Sequence, residues 1–344
     1  LFGQLSGRES LRDLMIGIEA HKSKFYHLGF GKNVTRSNLA KANERRSYKI
    51  FEEFAYHLIN EARRVTEVKD FKLNIKSNVY AFDSSTIDLC LSVFWWAEFR
   101  KTKGGIKLHT LFDVKTSIPS CILITKASVH DVNVLDLLKF EPGGYYILDR
   151  GYTDFERLYR INLHSAFFVT RGKTNLRFKR MYSNKVEKKI GVLSDQIGKL
   201  EGFYALKDYP DKLRRIRYYD DETKRTFVFI SNNFDLKAQE IALLYKYRWK
   251  VELFFKWIKQ HLKIKSFWGT TPNAVKIQIY SAIIVYCLVA IVNYKLKLDR
   301  SPYEILQILS ISLFDKTPIK ELLINQDYQD VKELDCIQLK INYI

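Results

Sequence analysis

Between Asn78 and Val169 one pattern recurs: short runs of β-forming residues, the later ones separated by stretches with helical periodicity. The runs are Val79 to Phe82, Ile106 to Phe112, Ser120 to Lys126, Tyr145 to Leu148 and Ala166 to Val169. His130 to Phe140 and Asp154 to Leu163 are patterned as helices between them. Strands that alternate with helices build a mixed α/β sheet flanked by helices and exclude a β-sandwich.

Around this core the pattern divides the chain. Residues 1–70 read as helical, with Leu11, Leu14 and Ile18 on one face and Ile50, Phe54, Tyr56 and Leu58 in a second periodic stretch. Thr35 is placed to cap a short helix bearing Arg36, Lys41, Arg45 and Arg46, which fits a helix-turn-helix DNA reader and a plain bundle equally well. Residues 71–170 and 226–270 read as two parts of the α/β core, split by a basic, β-rich insertion over residues 171–225. That insertion carries 16 Lys or Arg against 8 Asp or Glu. Lys212 to Tyr219 and Thr226 to Ile230 flank Asp220-Asp221-Glu222 as a hairpin. Asp235 is placed to cap a long helix reaching about His261, and residues 271–344 read as a C-terminal helical region. The longest apolar run, Ile279 to Val292, falls short of the roughly 18 residues of a membrane span and reads as a buried helix.

The 57 Lys and Arg outnumber the 38 Asp and Glu for a net charge of +19, which points to a polyanion, DNA first, as partner. With 47% hydrophobic residues and few Gly or Pro, the chain lies far from disordered composition. Cys90, Cys121, Cys287 and Cys336 are widely spaced and form no C-x-x-C pair, which argues against a disulfide framework or a zinc site and fits a reducing cytosol. No signal-peptide pattern opens the sequence, and no membrane association is expected. The chain starts at Leu1 with Met15 and Met181 as its only methionines, so the natural start is expected upstream.

The chemistry rests on three carboxylates. Asp83 closes an apolar run in Phe82-Asp83-Ser84-Ser85-Thr86, and Asp149 closes another in Leu148-Asp149-Arg150-Gly151-Tyr152, where the glycine permits tight backbone geometry. An aspartate after a strand is commonly just a turn residue. Two such strands side by side, however, bring both aspartates to the sheet edge where α/β sites form, close enough for their oxygens to share a hard divalent cation. The third is Glu252. On one continuous helix Tyr245, Arg248, Glu252 and Lys259 fall within a face about 60° wide and spread over about 21 Å of axis. From the helix alone, a solvated face with Glu252 paired to Lys256 is the favoured reading.

The spacing of those four residues resembles the YREK motif of the insertion-sequence-four family of bacterial transposases. Asp83 and Asp149, in their settings, are similar to that family's other two catalytic carboxylates. Lys103-Gly104-Gly105-Ile106-Lys107-Leu108-His109 resembles the family's strand after the first of them. The similarity runs from about Ser37 to Tyr294. It implies a ribonuclease-H-like sheet with a β-rich insertion before the Glu helix, and cut-and-paste transposition through strand cleavage, hairpin formation and strand transfer. In this scheme Asp83, Asp149 and Glu252 hold two Mg²⁺, for which Mn²⁺ substitutes, while Tyr245, Arg248 and Lys259 hold DNA backbone near the cleaved end. The implied partners are terminal inverted repeats, target DNA and a second copy of the chain in a synaptic homodimer, in the bacterial cytoplasm at the nucleoid.

Arg150 reads evenly as a phosphate contact or a neutraliser of the acidic cluster, and Arg214, Arg215 and Arg217 of the insertion are expected along DNA. Trp95, Trp96, Trp249, Trp257 and Trp268 read as packing or as a stack for a flipped base. His109 and His130 read as hydrogen-bonded core residues rather than ligands. Two rivals share part of this pattern: a ribonuclease-H-fold nuclease or resolvase, which needs no basic insertion, and a non-catalytic DNA-binding derivative, which needs no intact triad.

Overall fold

The computed structural model describes residues 1–26, 29–30, 34–68, 70–101, 103–173 and 175–324. Within them a sheet of ten strands runs in the order β2-β3-β1-β5-β6-β10-β9-β8-β7, with β4 on β3. The strands are β1 Val79–Leu89, β2 Glu98–Arg100, β3 Lys103–Asp113, β4 Ile118–Lys126, β5 Tyr145–Leu148, β6 Phe167–Arg171, β7 Phe178–Ser183, β8 Val192–Leu200, β9 Leu213–Asp220 and β10 Arg225–Ser231. β1, β5 and β6 are parallel, and every other pairing is antiparallel. This is the mixed sheet flanked by helices that the alternating pattern implies, consistent with a ribonuclease-H-like fold. Strands β7 to β9, from the basic stretch 171–225, extend the same sheet and close on β6 through β10.

Strand alternation sorts side chains to two cores. Val79, Ala81, Tyr145, Ile147 and Val169 face one core, which is covered by the helices Lys49–Val65, Trp249–His261 and Pro272–Lys295. Tyr80, Phe82, Tyr146, Leu148 and Phe168 face the other, under the helix Phe155–Leu163 and the 3-10 turn Asp131–Leu137. Burial on both faces is why β1 opens, and β5 runs throughout, as unbroken apolar sequence.

Several local expectations are corrected. β1 does not end at Asp83: it continues to Leu89 in antiparallel register with β3, and only its parallel pairing to β5 stops at Phe82. In the Lys49–Val65 helix Ile50 and Phe54 are exposed. The buried face is Ala55, Leu58, Ile59 and Ala62, where the two alanines allow close approach of the Pro272–Lys295 helix. The Ile279–Val292 run is the middle of that 24-residue helix, which by length and apolarity alone is able to cross a membrane. Its most apolar window is 72% buried against protein, as in a core helix. Thr35 does cap the Arg36–Arg45 helix, which buries no side chain and exposes Arg36, Lys41 and Arg45. Cys336 and the C-terminal residues from 325 onward lie outside the described residues.

Candidate active site

Asp83 and Asp149 share the parity of Val79, Ala81, Tyr145 and Ile147, so both point to the sheet face under the Trp249–His261 helix. Both sit where the parallel β1–β5 pairing ends. Glu252 lies in the first turn of that helix, where the helix dipole favours a negative charge.

The helix bearing the four-residue stripe is not continuous. It divides into Ala238–Lys246 and Trp249–His261, joined by Tyr247 and Arg248 with right-handed helical dihedrals. The joint is tightened by i to i−3 hydrogen bonds, including Arg248 N–H to the Tyr245 carbonyl at 3.0 Å and Val251 N–H to the Arg248 carbonyl at 3.2 Å. At three residues per turn, Tyr245 and Arg248 are brought into line one above the other. Asp235 is not the cap: Asn233 turns the chain by accepting from the N–H groups of Asp235 and Leu236, and Glu240 accepts from the Lys237 N–H at the helix start.

The stripe reaches all three carboxylates. Arg248 donates through Nη1 to Asp83 Oδ2 at 3.0 Å and pairs through Nη2 with Glu252 Oε1 at 2.6 Å. Tyr245 donates its hydroxyl to Asp149 Oδ1 at 3.3 Å, and Lys259 Nζ donates to the Thr86 carbonyl of β1 at 2.7 Å. Burial raises the Asp83 pKa to about 6; the Ser84 N–H and Arg248 act against that rise, while Glu252 and Asp149 add to it. Burial opposes the charge on Arg248, yet Tyr245, Glu252 and Asp83 hold its pKa above the ordinary value. Burial pushes the Tyr245 hydroxyl up to about 12 and lowers Lys259, with Lys265 adding to the latter.

Three carboxylates with no sulfur or imidazole among them are the donor chemistry of a hard divalent cation, so the residues present suit such an ion. Among the described residues no three His, Cys, Asp or Glu side chains are drawn tightly enough together to hold one as they stand. Arg248 occupies the space between two of them. The site opens toward β6 and β9. A recess of 550 Å³ is lined by Asp149, Arg150, Gly151, Lys173 and Asn175. A groove of 670 Å³ beside it is lined by Arg150, Arg171, Lys173, Arg215 and Arg217 and by no acidic side chain. A cavity of 1080 Å³ between the N-terminal helices and Trp268 touches none of these three carboxylates.

The other candidates separate cleanly. Arg150 and Arg217 are exposed. Arg215 is partly spent on Gln196 Oε1 at 2.7 Å and on the Phe178 ring. Arg214 does not belong with them: it is 4% exposed, bidentate to Asp195 at 2.8 Å, and donates its remaining nitrogen to the Asn233 and Leu236 carbonyls. Its neighbour in sequence faces the groove, so on a strand Arg214 faces away from it. Gly151 has no left-handed backbone; it offers its N–H to Asp149 Oδ2 at 3.5 Å. Trp95 and Trp249 are exposed, whereas Trp96 donates to the Thr270 carbonyl.

Sequence reasoning missed Asp131, Ser84 and Tyr152. Asp131 follows His130 in the turn after β4 and accepts from Ser84 Oγ at 2.8 Å; the Tyr152 hydroxyl is buried beside Ser84. The only signal for them was position, one residue beyond Asp83 and one turn after β4.

A family model described as a transposase DDE domain matches residues 75–288, and one described as a domain of unknown function matches residues 1–31. A putative transposase of Sinorhizobium fredii is 34% identical over 259 residues, covering 74% of this chain and 70% of its own length. A probable transposase for an insertion sequence element of Geobacillus stearothermophilus is 27% identical, over 73% of this chain and 66% of its own. A putative transposase for an insertion sequence element of a Synechocystis species is 25% identical, over 78% and 75%.

Proposed function

Because the chain belongs to the family of DDE-domain transposases, enzymes that cleave DNA and transfer its strands, we propose that Asp83, Asp149 and Glu252 are the carboxylates with which it does so. The observation that carries this reading is their meeting from two strands and one helix around the side chains of Arg248 and Tyr245. The spacing of Tyr245, Arg248, Glu252 and Lys259 favours the insertion-sequence-four branch.

The family is metal-dependent, and the three carboxylates would hold two Mg²⁺, or Mn²⁺ in their place. Bound there, the ions supply an activated oxygen nucleophile at neutral pH and stabilise the leaving 3′ oxygen. The protein's own groups position the rest. Arg248 leaves at least one carboxylate and becomes free to take a DNA phosphate, for which its planar fork is suited. Tyr245, released from Asp149, has a hydroxyl to donate to the next phosphate, and Lys259 anchors the strand further along the helix. Arg150, Arg215 and Arg217 carry the duplex beside the site by charge alone, without reading sequence. An element has two ends and each chain carries one triad, which favours a homodimer in the synaptic complex. Chromosomal DNA as substrate favours a location at the nucleoid.

Asp149→Asn tests the assignment, since it removes a charged ligand and leaves every cationic DNA contact in place. Cleavage of a duplex carrying the element's terminal inverted repeat should fall at least about 1000-fold in Mg²⁺, with retained DNA affinity by gel shift. Normal cutting by this variant would make Asp149 a turn residue.

A further inference from the structure

The catalytic strand is gripped from its far side by a carboxylate that the reaction itself does not use. Asp83 and Ser84 are consecutive on β1 and therefore face opposite sides of the sheet. Asp83 faces Arg248, and Ser84 faces the turn that opens the 3-10 segment Asp131–Leu137. There a single oxygen, Asp131 Oδ1, accepts from Ser84 Oγ at 2.8 Å and pairs with Lys107 Nζ at 3.1 Å, while His109 Nδ1 stands 3.7 Å away. Lys107 and His109 come from β3, and His109 is the cross-strand partner of Ser84. Lys107 also donates to the Val129 carbonyl, so the turn is fixed at two points.

The link reaches the active face through the backbone. Ser84 N–H donates to Asp83 Oδ1 at 2.8 Å, which leaves Oδ2 of Asp83 for Arg248. The bond from Oγ tethers Ser84 to the turn, so it resists a shift of the Ser84 backbone, which would move that N–H and turn the Asp83 carboxylate with it. His109 stiffens the same spot. It is buried, burial holds it neutral with a pKa near 4, and its Nε2 is 2.9 Å from Thr125 Oγ1. The Thr125 hydroxyl itself donates to the Lys126 carbonyl, so Nε2 carries the proton and Nδ1 is left as an acceptor without a donor. Asp131 is the side chain that accepts the Ser84 hydroxyl proton, at 2.8 Å, while the buried Tyr152 hydroxyl lies close enough to Ser84 to interact with it.

We propose that Asp131 is a positioning residue for the transposase reaction, acting through Ser84 to set the orientation of the Asp83 carboxylate. The proposal rests on Asp83 being a metal-binding carboxylate. Partners one step behind a ligand cost roughly 10- to 100-fold in metal affinity or activity when removed. The residues act in series, so their losses overlap rather than add.

The experiment titrates Mn²⁺ against the parent protein and the variants Asp131→Ala, Asp131→Asn, Ser84→Ala, the Ser84→Ala/Asp131→Ala double variant and Asp83→Asn, following free ion by electron paramagnetic resonance. Single-turnover nicking and DNA affinity are measured in parallel. Asp131→Ala and Ser84→Ala should each weaken Mn²⁺ binding and slow nicking by about 10- to 100-fold, with DNA affinity unchanged. The double variant should lose no more than the worse single. Asp131→Asn keeps the acceptor oxygen for Ser84 and should recover most of the loss seen with alanine. Mn²⁺ affinity within twofold of the parent in both alanine variants, or additive losses in the double, overturns the proposal. Asp83→Asn keeps the two questions apart: if it still binds Mn²⁺ and nicks, the catalytic assignment fails, whereas a dead Asp83→Asn beside normal Ser84 and Asp131 variants fails the brace alone.

Discussion

Two of the molecule's Arg–Asp pairs are of similar length but stand in very different settings. On β8 and β9, Arg214 meets Asp195 at 2.8 Å with both side chains at most 5% exposed. At the head of the Glu252 helix, Arg248 meets Asp83 at 3.0 Å with side chains 16% and 20% exposed. In the first pair every guanidinium nitrogen is engaged. In the second, one guanidinium is divided between two carboxylates and its Nε is buried with no hydrogen-bond partner among the described residues. Charge and distance barely distinguish the two, but saturation does. A fully satisfied pair closed from water has nothing left to offer a ligand, whereas an under-satisfied guanidinium beside an open groove can exchange one anion for another.

Stability should divide the pairs most sharply. Arg214→Ala strands Asp195 as a buried, uncompensated charge and frees two carbonyls, a change worth about 3–5 kcal/mol of unfolding free energy. Urea denaturation measures it. Arg214→Met with Asp195→Leu should recover most of that loss, because an apolar pair of similar volume replaces the ions without leaving a charge behind. A loss below about 1 kcal/mol for Arg214→Ala would mean that the pair is dispensable and that its burial says little about its role.

Arg248→Ala should reverse the profile. Asp83 and Glu252 retain access to water, so the stability loss should stay near 1–2 kcal/mol. The functional loss should be larger: some first-strand nicking persists, but hairpin formation and strand transfer fall on the order of 100-fold, and cleaved ends dissociate faster. Glu252→Ala should lose every step. Equal loss of nicking in both variants, with cleaved ends held as tightly as by the parent, would make the stripe one indivisible catalytic unit.

Why the sequence singled out the members of one pair as site candidates, though not their pairing, and grouped Arg214 with the wrong neighbours follows from what periodicity carries. Glu252, Arg248 and Tyr245 were legible because their spacing is local, and the interrupted helix preserves it even though Tyr247 and Arg248 tighten the turn. Asp83 and Asp149 were legible because apolar runs lead into both, although the strand holding Asp83 runs on to Leu89. Arg214, Arg215 and Arg217 were grouped by charge, and charge has no parity. Only the pairing of β9 with β8, which sets Arg214 opposite Ile197 and Arg215 opposite Gln196, decides which arginine faces inward. Asp131 was illegible for a related reason: its partners Ser84 and Lys107 lie 47 and 24 positions away and meet it only through the β1–β3 register.

The smallest expected effect tests parity within β9 itself. Arg217 is exposed on the groove side, opposite Ser194, and its side chain makes no hydrogen bond or ion pair among the described residues. A guanidinium that neutralises one phosphate releases about one counterion, so Arg217→Gln should reduce the slope of log affinity against log salt by about 0.9 on duplex DNA of any sequence. Arg215 shares that face but is held by Gln196 and the Phe178 ring, and burial already depresses its pKa. Its reorganisation cost offsets part of any phosphate contact, so Arg215→Gln should change the slope by less. The Arg214→Met/Asp195→Leu protein, if folded, should keep the parent slope altogether, since neither ion reaches the groove. Fluorescence anisotropy across a salt series resolves the three. If the Arg214 pair replacement flattened the slope as much as Arg217→Gln, the saturated pair would be opening to DNA after all, and burial would have ceased to separate structural from functional arginines on this sheet.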